Sequence, residues 1–121
     1  MQRKPSPPGP VRIIRAFGAS FRGYRGALRR ERAFREELVV AAVVIPLGLY
    51  MGKSGVERAL LVAPMVLVLV VELLNSAIET TVDRVGLEQH ELSGLAKDLG
   101  SAAVLTSFLL LGLNWLLVLV F

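Results

Sequence analysis

The chain has no cysteine, which closes off disulfides and thiolate-held metal or iron–sulfur centres. Its one histidine, His90, cannot alone furnish the ligands of a zinc site, and a lone loop histidine is more often an ordinary residue than a ligand. There is no G-x-G-x-x-G, no G-x-S-x-G and no internal repeat, so a Rossmann dinucleotide site, a nucleophile elbow and a repeat architecture are set aside. GLYMGKS, residues 48–54, imitates a phosphate-binding loop, but three residues separate its glycines where that motif needs four. Any nucleotide chemistry here uses another architecture.

What the sequence does have is apolar surface. Of its 121 residues 54% are apolar and the mean hydropathy is +0.59, above a typical soluble domain, so an integral membrane protein of one domain is expected. Charge is unevenly spread. Residues 1–37 hold 10 of the 14 Lys and Arg but only 3 of the 10 acids, leaving 4 basic and 7 acidic groups for the rest. The basic residues come first and no apolar h-region with a small-residue cleavage site follows them, so no cleavable signal is expected. The opening MQRKPSPPGP, residues 1–10, reads as a disordered or extended leader.

Residues 11–30 carry Ile14, Phe17, Phe21, Tyr24 and Leu28 at alternating spacings of three and four, one apolar stripe of a helix, with Arg12, Arg15, Arg22, Arg29 and Arg30 on the other side. That pattern suits a helix lying in a membrane interface, arginines toward anionic headgroups. A nucleic-acid-binding stretch or a soluble core helix shows similar patterning. The hydrophobic segments that follow directly favour the interface and no nucleic-acid partner.

Three transmembrane helices are expected at 33–51, 56–86 and 92–121. The last is the clearest, since Leu99–Phe121 carries no charge. The first has Pro46 and reaches spanning length only if residues 33–37 enter the interfacial zone. The positive-inside rule puts the N-terminus in the cytoplasm, the GKSGVER turn outside and the VGLEQHELSGLAKD connection inside.

The middle span ends unusually. After ALLVAPMVLVLVV the sequence places Asn75, Ser76, Glu79 and Asp83 within about 60° of Glu72's line on a helix, one stripe of five residues. A carboxylate facing lipid costs several kcal/mol, so this face must turn to a protein interior or a wet cleft. One reading is an ion-paired seam with Arg35, Lys97 or Arg84; the other is a catalytic or metal site, because three acids and an amide ask for more positive charge than the spans hold. Glu31 lies at the same cytoplasmic boundary, and with Glu79 it could hold a hard cation such as Mg²⁺, which takes oxygen ligands and bridges phosphates. Lys97 and Asp98 open the third span at that depth, with Ser101 one turn beyond.

ELLNSAIETTVDR, HELSGLAKDLGSAAV and RIIRAFGASFRGYRGALRRERAFREE together resemble the prokaryotic diacylglycerol kinase family, from about Arg12 to Trp115. The resemblance implies an all-α membrane homotrimer of three transmembrane helices and a surface helix per chain, with active sites shared between chains, in a bacterial inner membrane. It implies transfer of the γ-phosphate of ATP to diacylglycerol, giving phosphatidic acid. Glu72 would be the general base, organised by Asn75 and Asp83. Glu31 and Glu79 would hold Mg²⁺ on the nucleotide phosphates. Arg12, Glu88, Gln89, His90, Lys97 and Asp98 would seat ATP, Lys97 neutralising phosphate charge. The lipid would lie against Arg12, Ser20, Phe21, Ala33, Phe34, Arg35, Glu37, Glu72, Ser101 and Trp115. Ala19, Gln89 and Leu95 depart from residues found in the family, which bears on the contacts to the adenine and leaves the acidic core untouched. Undecaprenol phosphorylation, known in the same family, is the nearest alternative; a non-enzymatic oligomer lining an ion path with the acidic face is the alternative of another class.

Overall fold

A computed structural model describes Pro5 and residues 8–121. It contains four helices in chain order: α1 Gly9–Arg30, α2 Arg32–Met51, α3 Gly55–Val85 and α4 Glu91–Leu119. Most of the expected leader, residues 1–4, 6 and 7, lies outside the described residues, and Gly9 and Pro10 already belong to α1. Proline fits this first turn because its missing N–H has no intrahelical acceptor there. The other three helices begin one residue before the expected bounds, and α4 ends two residues sooner.

Local chemistry sets the ends. Ser54 caps α3 by accepting the Glu57 backbone N–H at 3.1 Å, the N-terminal half of an S-x-x-E capping box. His90 caps α4, its Nδ1 accepting the Leu92 N–H at 3.1 Å. At the α1–α2 corner, Glu31 breaks the helix with φ −109° and ψ 104°. Arg35 then donates Nη1 to the carbonyls of Leu28 at 2.9 Å and Arg29 at 3.3 Å, covering acceptors that the end of α1 leaves open. Gly52 makes the α2–α3 turn possible: a Cβ there would stand 2.8 Å from the Arg58 backbone nitrogen.

α3 is the central helix and packs against both α2 and α4, while α1 meets α2 lightly. The buried face of α3 runs through Leu61, Met65, Val68, Glu72 and Asn75, at spacings of four, three, four and three. One stripe thus changes from apolar to polar after Val68. Its apolar part meets Ala41, Val44 and Ile45 of α2 and Phe108 and Leu111 of α4. Gly48 lets α2 approach closely, since a Cβ there would lie 3.1 Å from Leu61 Cβ and 3.5 Å from the Trp115 ring. In lipid such contacts hold helices by van der Waals packing, since tails are as apolar as the side chains.

Among the described residues, α3 and α4 are long and apolar enough to cross a membrane. α2 falls short because Arg35, Glu36 and Glu37 occupy its first turns; the uncharged run Leu38–Met51 is only about 21 Å long against a hydrocarbon core of about 30 Å. The apolar stripe expected on α1 is present and uncovered: Ile14, Phe17 and Phe21 are 65–71% exposed. The outward faces of α3 and α4 are uncovered too, at Leu74, Leu105, Leu109 and Leu113 among others.

Pro64 sits inside α3 and cannot donate to the carbonyl four residues earlier, Leu60. Asn114 of α4 supplies the missing donor, Nδ2 to Leu60 O at 3.0 Å, and Trp115 Nε1 donates to the adjacent Leu61 O at 3.0 Å. In a membrane, where water cannot serve a freed carbonyl, a neighbouring helix must. Asn114→Leu is expected to cost about 1 kcal/mol, the worth of one such bond. Thermal unfolding in detergent should show the loss as a lower midpoint.

Candidate functional site

The polar half of the α3 seam forms the centre of the site. Glu72 is 5% exposed and Asn75 8%, with Ser76 buried beside them. Opposite, α2 contributes Glu37, 8% exposed, whose carboxyl comes within hydrogen-bonding reach of that of Glu72. Glu31 and Glu79 stand close enough for their charges to act on Glu72. Glu37 and Glu72 therefore form a buried pair of acids at the end of the apolar packing, with the half-buried Glu31 and Glu79 acting on it by charge. Three buried atoms here, Glu37 Oε2, Asn75 Oδ1 and Ser76 Oγ, have no hydrogen-bond partner among the described residues.

Asn75 spans one turn of α3 and donates Nδ2 to Glu79 Oε1 at 3.4 Å. That contact holds Glu79 toward the same side as Glu72. Asp83 is differently placed. It binds Lys97 Nζ of α4 at 2.8 Å, with both side chains roughly half exposed. The α3–α4 ion pair proposed as a bland reading of the acidic face is thus real at Asp83, while Glu72 and Glu79 have no such cation among the described residues.

Two grooves flank the centre. One, about 730 Å³, lies between α1 and α3, with Arg22, Arg25, Arg29 and Arg30 on one wall, Ser76 and Thr80 on the other, and Glu31 at its border. The other, about 470 Å³, follows the α3–α4 connection and collects Asp83, Glu88, Gln89, His90 and Lys97. Four residues expected at a nucleotide, Glu88, Gln89, His90 and Lys97, therefore share one groove. Arg12 and Asp98 are exposed and line neither groove.

The expected lipid contacts are scattered. Glu37 reaches the centre. Ser20 borders the larger groove but bonds its hydroxyl back to Ala16 O at 2.9 Å. Phe34 is 3% exposed. Phe21, Ala33 and Ser101 are exposed, and Arg35 is engaged at the α1–α2 corner. Trp115 is bonded at Leu61, eleven residues and so about 16 Å along α3 from Glu72. The apposition of Glu37 to Glu72 was invisible to sequence reasoning, because nothing in a one-chain pattern says which residue of α2 faces which of α3. Asn114 was also missed, although an amide in an uncharged span and a proline in the next helix are the signals that could have paired them.

The class defined by these features is a small all-helical protein with membrane-length apolar helices and a buried pair of carboxyl groups at their end. The chain belongs to the prokaryotic diacylglycerol kinase family, whose model matches residues 18–119. It is 45% identical over 111 residues to the diacylglycerol kinase of Escherichia coli K12, covering 92% of this chain and 91% of that one. Similarity to the diacylglycerol kinase of Pseudomonas aeruginosa PAO1 is 48% over 107 residues, 88% and 87% of the two chains. For that of Haemophilus influenzae Rd it is 43% over 107 residues, 88% and 91%.

Proposed function

We propose that this protein is an ATP-dependent lipid kinase that transfers the γ-phosphate of ATP to diacylglycerol, working as a homotrimer in the bacterial inner membrane. The observation that carries the reading is Glu72: a carboxylate 5% exposed at the end of an apolar seam, ringed by acidic neighbours, in a chain of this family. α2 is the third span, its first turns lying in the interfacial zone. The N-terminus faces the cytoplasm, and the uncovered α1 stripe lies on the bilayer with its arginines toward headgroups. The bare outer faces of α3 and α4 leave room for lipid and for further copies of the chain.

The roles follow the family resemblance, and the chemistry of each side chain supports them. Glu72 takes the proton of the lipid hydroxyl as that oxygen attacks the γ-phosphorus; the bond to the β-phosphate oxygen breaks and ADP leaves. A base buried at the end of the apolar seam suits a substrate whose tails stay in the bilayer. Glu31 and Glu79, both half-buried and both acting by charge on Glu72, offer the hard carboxylate oxygens that a divalent cation would combine with phosphate oxygens. Glu31 and Glu79 would hold Mg²⁺, which when bound would supply charge neutralisation on the nucleotide phosphates. Lys97 and Asp83 join α3 to α4 beside the groove of Glu88, Gln89 and His90, where the nucleotide sits.

Purified protein given labelled ATP should label diacylglycerol in mixed micelles at least tenfold faster than undecaprenol, a difference of about 1.4 kcal/mol in transition-state stabilisation. Preferential labelling of undecaprenol would move the chain to that substrate. Ion flux in vesicles without any labelled lipid would replace the kinase reading altogether.

A further inference from the structure

Gly100 is buried in the middle of α4's first half. Glycine inside a helix costs about 1 kcal/mol relative to alanine, so its presence needs a local reason. Gly94 and Gly112, on the same helix, give none: a Cβ at either meets nothing within 4 Å. At Gly100 a Cβ would overlap Asn75 Oδ1 and lie 3.2 Å from Asn75 Cγ. The Asn75 amide occupies the space that any other residue at position 100 would fill.

The amide so lodged has work at its other end. Its Nδ2 reaches Glu79 Oε1, while its Oδ1, buried against Gly100, has no hydrogen-bond partner among the described residues. No hydrogen bond therefore fixes the rotation of this amide from the Oδ1 side. Shape does, through the missing side chain on α4. We infer that Gly100 is a positioning residue: it seats the Asn75 amide so that its N–H₂ holds Glu79 beside Glu72. Through it, the packing of α4 on α3 sets the geometry of the carboxylates. The inference rests on the proposed roles of Glu72 and Glu79, but the coupling of Gly100 to Asn75 is independent of them.

A methyl at position 100 pushes the amide off Glu79. Gly100→Ala should lower kcat about tenfold, the scale of losing a side chain that orients a ligand. The full-length protein in mixed micelles, assayed as a double-mutant cycle with Asn75→Ala, tests the route of the effect. With alanine at 75 the obstructing amide is gone and the two Cβ atoms would be 3.8 Å apart, an ordinary contact. In that background Gly100→Ala should cause no further loss of activity, and the double variant should unfold at a higher temperature than Gly100→Ala alone. If Gly100→Ala is too unstable to purify, recovery of folding in the double variant is the expected result. Gly112→Ala should behave as wild type. Equal losses in both backgrounds, or full activity in Gly100→Ala, would overturn the inference. Glu72→Gln run in parallel separates the two ideas: if it stays active the proposed base is wrong, while the thermal arm of the cycle still reads the Gly100–Asn75 coupling.

Discussion

Glu72→Gln should reduce lipid phosphorylation about a thousandfold while the protein folds as well as before. A positioned general base contributes roughly 10²–10⁴ in rate, and a factor of a thousand corresponds to about 4 kcal/mol of transition-state stabilisation. Glutamine keeps the shape of the side chain and loses only the ability to accept the hydroxyl proton. Stability should hold or rise. Glu72 is buried beside Glu37 and within reach of the charges of Glu31 and Glu79, so neutralising it relieves repulsion that a low-dielectric site makes costly. Labelled-phosphate transfer and thermal unfolding on the same preparation give the two readouts. A variant that keeps most of its rate shows that the proton leaves by another route, and one that loses rate only together with its fold shows that Glu72 is a structural acid.

That pairing of outcomes reflects what one chain's pattern can and cannot carry. The helices were legible because their signals are periodic and strong: an alternating three-and-four stripe on α1, long uncharged runs in α3 and α4, and glycines at Gly52 and Gly86 where α3 is joined to its neighbours. The alignment of Glu72, Asn75, Ser76 and Glu79 on one face follows from 3.6 residues per turn alone. Facing partners did not follow. Asp83 shares that face by angle, yet it extends past the apolar packing and meets Lys97 at the solvent-accessible end, which a rotation angle cannot distinguish from a buried acid.

Two further features needed the third dimension. Trp115 suited a lipid contact by resemblance, but Pro64 opens carbonyls on α3 at the level of Asn114 and Trp115, and the ring nitrogen goes there instead. Glu37 sits in a run of charges, Arg35, Glu36 and Glu37, of which only one can face α3; α2's twist selects Glu37 for burial and leaves Glu36 to pair with Arg32 at 2.9 Å. Buried acids thus arise where helix rotation and depth coincide, and sequence supplies the rotation of each helix without its neighbour's.

Glu79→Gln should fail differently from Glu72→Gln, and the difference is the sharper test of the site. Its side chain is half-buried, one turn beyond Asn75, with Nδ2 of that residue at 3.4 Å as its one hydrogen-bond partner among the described residues. A glutamine oxygen can still accept that bond, so the local packing survives. What it cannot do is supply negative charge to a hard divalent cation, whose affinity depends on charged oxygen ligands. The Mg²⁺ concentration for half-maximal rate should rise about tenfold to a hundredfold, and a large part of the rate should return at saturating Mg²⁺. Glu72→Gln, lacking the base, should gain nothing from added metal. Mn²⁺ binding in the presence of ADP, followed by electron paramagnetic resonance, should weaken in the Glu79 variant and not in the Glu72 variant. An unmoved metal titration would leave Glu79 as a seam residue held by Asn75, and the cation would then have to be carried by the nucleotide with Glu31 alone.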